Sequence, residues 1–327
     1  MRSSSPEKPT ALITGVTGQD GYYLSRLLVE SGLTVHGIVG RNETAESVEV
    51  EGVNAHAIDL MDADAVLDLV TEVSPDYVFH LAGVSSVAMS WQMPVYASQV
   101  NAVSTAAVLD ACLQAQERTR RKINVVNASS AEIFAGSSVQ RQNEQTPIRP
   151  TSPYGASKAF GHMMCHLYRE RGLHASNAIL FNHESPRRPT TFVTRKITAA
   201  VAAIARGEQD CVTLGNVAVQ RDWGWAPDYV DAMYRMAQRG EGDDFVLATG
   251  VAHSITDFVA AAFAAVDIPD WKEKVRIDND LVRPLDSEVM VGDPNKAQRV
   301  LGWRPTMSFR QIVAAMVESD LAQEQDS

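Results

Sequence analysis

Short, nearly continuous apolar runs alternate along the first half of the chain with segments whose apolar residues recur at helical spacing. Residues 11–14, 34–39, 54–58, 76–81, 122–127 and 174–181 read as six strands. Helices are predicted from 18 to 32, where Tyr22, Leu24, Leu27 and Leu28 carry the helical spacing, from 62 to about 73, roughly from 94 to 116, and from 152 to 171. Strands this apolar are buried on both faces, which requires a parallel sheet covered by helices on each side: the doubly wound, Rossmann-type α/β fold. Beyond Phe181 the rhythm changes. Residues 187–189 interrupt the chain, a helix follows near 194–206, and shorter elements richer in Trp, Arg and Asp come next, with loops at 240–243 and 269–284. The pattern predicts a Rossmann-type domain over 1–182, with 1–9 disordered, and a smaller α/β substrate domain over 183–327. Segments near 215–250 are expected to return to the first domain.

Composition narrows the classes. A chain of 327 residues with 45% apolar and 21% charged residues is an ordinary globule, not a collagen, a disordered tail or a disulfide scaffold. Lys and Arg number 29 against 40 Asp and Glu, a net charge of −11 that repels nucleic acid and anionic membrane. An anionic small-molecule substrate therefore needs a local basic pocket. Cys112, Cys165 and Cys211 cannot all pair and have no metal-ligand spacing, so no metal is expected and a reducing compartment is. The first nine residues are rich in Ser and Pro without an apolar stretch, and nowhere do 18 apolar residues run together. A cytoplasmic protein is expected.

Gly15-Val16-Thr17-Gly18-Gln19-Asp20-Gly21 follows the first strand and opens a helix. Glycines at this spacing allow a tight turn and bring backbone close to a pyrophosphate, which then lies on the helix's N-terminal N–H groups. A nucleotide loop over Gly15, Thr17, Gly18, Gln19, Asp20 and Gly21 is the reading. At the tip of the second strand, Val39-Gly40-Arg41-Asn42 offers no carboxylate where the adenosine ribose is read. Arg41 suits a 2′-phosphate and favours NADP; the competing reading is a solvated Arg41 with Glu43 on the ribose. Asp59 and Leu60 follow the third strand, placed for the adenine edge or, for Asp59, as a helix cap. Leu81, Ala82 and Gly83 end the fourth strand with the small residues a chain passing a cofactor needs.

Tyr154 and Lys158 stand four apart at the start of a predicted helix and so share a face. An ammonium beside a phenol is expected to lower the tyrosine pKa and make it a base. The fifth strand ends in Ala128-Ser129-Ser130-Ala131-Glu132, at the sheet edge where such folds hold ligands. Ser130 can hydrogen-bond the hydroxyl that Tyr154 deprotonates. Glu132 stands two residues further on, where the ordinary reading is a capping or surface carboxylate at a strand end.

Together these motifs resemble the extended short-chain dehydrogenase/reductase superfamily. Within it, residues 181–188 (FNHESPRR), 192–197 (FVTRKI), 221–224 (RDWG), 228–230 (DYV), 283–284 (RP) and 292–303 are similar to the GDP-mannose 4,6-dehydratase family. The resemblance extends from residue 10 to about 310 and implies a lyase with an internal redox cycle on bound NADP. Tyr154, with Ser130 and Lys158, would take the C4 hydroxyl proton while the C4 hydride leaves; the ketone acidifies C5–H. Glu132 would then remove the C5 proton as the C6 hydroxyl departs as water, and hydride returns to C6. The resemblance also implies Asn182 and Glu184 near the sugar, and Arg188, Lys196, Arg221 and Arg283 on the diphosphate and nucleotide. Asn216 and Asp286 would sit near the base or ribose. Guanidinium forks match phosphate oxygens, although one or two of these arginines are expected to be surface ion pairs. Trp223 and Trp225 read as core aromatics rather than stacking platforms.

Several positions depart from the family pattern. Ser130 replaces Thr, Ala131 replaces Ser, Phe134-Ala135 replaces Tyr-Gly, and Asp286 replaces a longer Glu. Gly40 replaces the first of an Arg-Arg pair, and the segment 41–56 is shorter than usual. In relatives that loop helps assemble tetramers, so a homodimer as well as a homotetramer is open. So is another GDP-hexose or heptose in place of GDP-mannose. An NADP-dependent nucleotide-sugar 4-reductase or epimerase is the competing activity, and a non-catalytic nucleotide binder the third.

Overall fold

The structure, a computed structural model, describes residues 8–40, 43–281 and 287–322. In its first part β1 (Thr10–Thr14), α1 (Gln19–Glu30), β2 (Thr34–Val39), β3 (Val53–Ala57), α2 (Ala63–Val73) and β4 (Tyr77–His80) follow in turn. Next come α3 (Val87–Gln92), α4 (Pro94–Ser98), α5 (Ser104–Thr119), β5 (Asn124–Ser130), α6 (Pro153–Glu170) and β6 (His174–Leu180). The remainder comprises β7 (Asn182–Glu184), α7 (Val193–Ala205), β8 (Val212–Leu214), β9 (Gln220–Trp225), α8 (Ala226–Gln238) and β10 (Asp244–Leu247). It closes with β11 (Ala252–Ser254), α9 (Ile255–Ala264), β12 (Val275–Ile277), β13 (Val289–Met290), α10 (Asn295–Leu301) and α11 (Phe309–Ala322).

The main sheet has seven parallel strands in the order β10-β6-β5-β4-β1-β2-β3, the doubly wound arrangement. One core layer lies beneath α1 and α8, around Leu24, Leu28, Phe79, Tyr229 and Met233. The other lies beneath α2, α5 and α6, around Val66, Leu109, Cys112, Val125 and Cys165. The strands carry apolar residues to both faces because both faces are covered. A third core, built from α7, α9, α11 and β9, supports a smaller sheet in which β9 pairs with β11, β13 and β7. Only Phe181 separates β6 from β7, so the chain steps directly from the large sheet into the small one. Among the described residues no helix is long and apolar enough to cross a membrane. The expected disorder of 1–9 concerns mostly residues outside the described ones.

Three local departures from the sequence expectation bear on the site. β5 runs on to Ser130, because 128–130 pair in register with Ala178, Ile179 and Leu180 of β6. The helix expected over 94–116 is interrupted by a π-helical turn, Gln99–Val103. That turn directs Asn101 inward, where its Nδ2 donates to Val84 O and Ser157 Oγ and its Oδ1 accepts from Val84 N. Helix α3 was not anticipated: of its six residues only Ser90 is buried, so it has no apolar stripe to detect.

Away from that end, His162 and His166 of α6 lie against Asp244 at the start of β10, with nitrogen-to-oxygen separations of 3.6 and 2.9 Å. Arg169 donates to the same carboxylate at 2.7 Å and Asn177 at 2.9 Å. This network fastens α6 to the sheet edge, and burial holds His162 neutral, with its pKa near about 4.

Candidate active site

The loop after β1 is a cradle that side chains would fill. Gly15 turns with φ +70°, and a Cβ there would lie 2.9 Å from the backbone N and Cα of Ala82. At Gly21 a Cβ would come within 2.3 Å of Gly15 O. No side chain caps α1 at Gly18, so its first-turn N–H groups face the loop without a local acceptor from that position. Thr14 Oγ1 accepts from Leu81 N and Ala82 N, both at 3.1 Å, which holds the ends of β1 and β4 together. With both nitrogens donating to it, the Thr14 hydroxyl proton is left to point at His80 Nδ1, 2.9 Å away. Burial lowers the His80 pKa to about 3, so this ring is a neutral strut. The bare backbone and open helix end fit a dinucleotide pyrophosphate.

Not every predicted loop residue faces outward. The Gln19 amide donates to His183 O at 3.2 Å, and its oxygen accepts from Ser185 Oγ at 2.8 Å, so it braces the turn after β7. Thr17 Oγ1 donates to Glu43 at 2.7 Å. Asp59 accepts from Met61 N at 3.1 Å, whereas the cap of α2 is Asp62; Leu60 packs partly into the sheet core. Arg41, Arg283 and Asp286 lie outside the described residues.

Ser130, Glu132, Tyr154 and Lys158 line one cavity of about 380 Å³ together with Asp20, Leu81 and Gly83. Their placement follows from strand and helix ends. Ser130 closes β5 and accepts from Glu132 N at 3.2 Å, starting a 3-10 turn over Ala131–Phe134. Ser152 caps α6 by accepting from Gly155 N at 3.0 Å, with Pro153 at the first helical position. Gly155 is needed for contact: its Cβ would meet Glu132 O at 2.7 Å, so the segments that carry Glu132 and Tyr154 touch through backbone. Tyr154 N donates to Ser90 Oγ at 3.1 Å, and Lys158 Nζ to Ala128 O at 2.9 Å.

The electrostatics correct one expectation. Burial raises the Tyr154 pKa to about 12, and the Ser130 hydrogen bond does not offset this. Burial likewise lowers the Lys158 pKa to about 8. In the free protein desolvation therefore outweighs the Ser130 hydrogen bond and the attraction of Arg188, while Lys158 donates to a strand carbonyl.

The opposite wall comes from the step between the sheets. β7 carries Asn182 and Glu184 into the cavity, and Arg188, Lys196, Asn216 and Arg221 line it further on. Glu184 is fully buried; its Oε2 accepts from Thr194 Oγ1 at 2.6 Å and lies 3.4 Å from Arg188 Nε. The Arg188 guanidinium is stacked 3.8 Å above the Phe192 ring. Arg221 Nη1 donates to Gln220 O and Ser287 O, and Asn216 Oδ1 accepts from Ala218 N. Trp223 lines the cavity but is packed with Phe258 and Phe309 in the third core, to which Trp225 adds.

Sequence reasoning missed His183, Ser86, Thr191 and Thr194 on the cavity wall. His183 matters most. Its Nε2 lies 2.9 Å from Asp20 Oδ2, and its Nδ1 2.7 Å from Phe181 O. Burial opposes charge on both, yet their mutual attraction and hydrogen bond prevail: Asp20 is held below the usual carboxylate range and His183 above the usual imidazole value. This ion pair joins the glycine loop to β7 across 163 residues, a distance no sequence pattern spans.

The profile of the family described as GDP-mannose 4,6 dehydratase matches residues 12–316. The chain is similar to GDP-mannose 4,6 dehydratase 1 of Arabidopsis thaliana, 41% identical over 95% of this chain and 89% of that one. It is also similar to the GDP-mannose 4,6-dehydratase of Sinorhizobium fredii (strain HH103), 39% identical over 97% of each. Among solved structures, the UDP-glucose 4-epimerase of Thermus thermophilus in complex with NAD superposes with a TM-score of 0.83 at 26% identity, over 96% of this chain and 99% of that one. With that fold, a cavity where a strand-end serine, a carboxylate and a Tyr-Lys pair meet, and a match that spans nearly every described element, the chain belongs to the GDP-mannose 4,6-dehydratase family.

Proposed function

We propose that this protein is a nucleotide-sugar 4,6-dehydratase acting on GDP-mannose or a closely related GDP-sugar, with a bound nicotinamide dinucleotide. The nicotinamide, when bound, supplies a hydride acceptor for C4 and a donor for C6. The protein's own groups do the rest. Tyr154, bonded to Ser130, receives the C4 hydroxyl proton once it has given up its own, a loss that cationic Lys158 and the positive charge of a bound oxidised nicotinamide would favour against the burial that keeps the phenol protonated in the free protein. Glu132, two residues from Ser130, takes the C5 proton that the C4 ketone has acidified. Glu132 can return that proton to the C6 hydroxyl, which departs as water as the C5–C6 double bond forms. Arg188, Lys196 and Arg221 supply the local positive charge that a nucleotide diphosphate needs in a chain of net charge −11. The adenosine end of the dinucleotide belongs at the tip of β2, where Arg41 lies outside the described residues and Glu43 is the placed charge.

The single observation that carries this reading is the convergence of Ser130, Glu132, Tyr154 and Lys158 on one cavity. A simple 4-epimerase has no use for a carboxylate at Glu132 beside the tyrosine. The test is to incubate the purified protein with a panel of nucleotide sugars and no added reduced cofactor. Loss of one water by mass, with deuterium placed at C4 recovered at C6, is the expected result. In a parallel incubation with NADPH or NADH added, their stoichiometric consumption would mean a reductase instead.

We further infer a homo-oligomer in the cytoplasm. Val95, Val103, Phe160, Met163 and Leu167 are exposed along α4, the π-helical turn and α6, with a shallow apolar hollow bounded by Val95, Val103 and Phe160, a surface that suits a second copy of itself. The free cysteines Cys112, Cys165 and Cys211 suit a reducing compartment.

A further inference from the structure

The tip of β2 holds the carboxylate of Glu43, the competing ribose reader of the sequence. Gly40, the first residue after the strand, has no side chain. Glu43 folds back over it: Gly40 N donates to Glu43 Oε2 at 2.7 Å, and Glu43 N donates to Gly40 O at 3.0 Å. A Cβ built on Gly40 would have Glu43 Oε2 as its nearest neighbour, at 3.1 Å. The Glu43 carboxylate thus stands beside the position that a side chain on residue 40 would take. Its other oxygen accepts from Thr17 Oγ1 in the glycine loop at 2.7 Å. The strand tip and the glycine loop are therefore bridged by one negative charge.

The segment that follows is held at both ends. Thr44 and Ser47 close a capping box, with Thr44 N donating to Ser47 Oγ at 3.2 Å. Glu49 is paired with Arg187, whose guanidinium stacks 3.8 Å over the Tyr22 ring. Glu43 itself is held by Gly40 and Thr17.

A carboxylate only accepts hydrogen bonds, and each of its oxygens has a lone pair beyond the one already engaged. Ribose hydroxyls are donors and complement it; a 2′-phosphate is an acceptor carrying like charge. We infer that Glu43 is the ribose-reading residue of this protein and sets its preference toward NAD(H) over NADP(H). The inference rests on the reading of the chain as a nicotinamide-dependent dehydratase.

The test is calorimetric titration of the protein with NADH and with NADPH, together with release and mass identification of any dinucleotide that copurifies. NADH should bind at least tenfold more tightly than NADPH. Glu43→Gln should narrow that ratio at least tenfold, chiefly by tightening NADPH. Tighter NADPH binding by the unaltered protein overturns the inference and leaves the dehydratase reading standing. An equal change for both dinucleotides in Glu43→Gln, with far-UV circular dichroism unchanged, makes Glu43 a loop brace and also overturns it. Binding of neither dinucleotide overturns the nicotinamide reading itself, and the inference with it.

Discussion

Two glycines share a left-handed backbone and differ in what surrounds them, so one substitution in each separates strain from contact. Gly15 has φ +70° and Gly32 φ +83°. A Cβ on Gly32 meets nothing within 4 Å, whereas one on Gly15 lies 2.9 Å from two backbone atoms of Ala82. Gly32→Ala therefore costs only the left-handed conformation of an L-residue, about 1–2 kcal/mol. Gly15→Ala adds the displacement of a backbone that Thr14 Oγ1 already ties to β1, for a total of about 2–5 kcal/mol. The same displacement parts the glycine loop from the residues facing it. Gly15→Ala should accordingly weaken NADH and NADPH binding more than tenfold, while Gly32→Ala leaves it unchanged. Urea denaturation gives the stabilities and calorimetric titration the affinities. Equal stability losses, or an undiminished dinucleotide affinity in Gly15→Ala, would refute the account of this loop as a contact-limited cradle.

Tyr154→Phe should lower turnover by roughly 10²–10⁴-fold and slow transfer of hydride out of C4 by a similar factor, read as the rate of cofactor absorbance change in a single turnover. Glu132→Gln should retain slow cofactor reduction but stall water loss; equal loss of both steps would remove the distinction between the two residues. The Asp20–His183 pair should give stability a dependence on pH at both ends. His183 has a raised pKa, so its contribution is present below about 6.5 and is lost as pH rises through the folded value. Asp20 has a lowered one, so its contribution is present above about 3.9 and is lost as pH falls through the folded value. The stability difference between the parent and His183→Gln should therefore shrink as pH rises above about 6.5, measured by denaturant titration. Phe160→Glu, on the exposed apolar face of α6, should reduce the sedimentation coefficient to that of a single chain.

The order of strands and helices in the first half was readable from sequence, because burial on both faces writes continuous apolar runs and α1, α2 and α6 write apolar stripes. The glycine loop, Ser130 and the Tyr154–Lys158 pair were readable too, since their spacing follows from turn and helix geometry. Tertiary structure alone decided what depended on neighbours distant along the chain. The pairing of Asp20 with His183, the inward turn of Asn101 and the approach of Glu43 to Thr17 join residues whose proximity is set by sheet order, not by spacing. The protonation of Tyr154 was decided the same way: sequence placed a cation four residues away, but burial, a property of the whole fold, moves the phenol in the opposite direction.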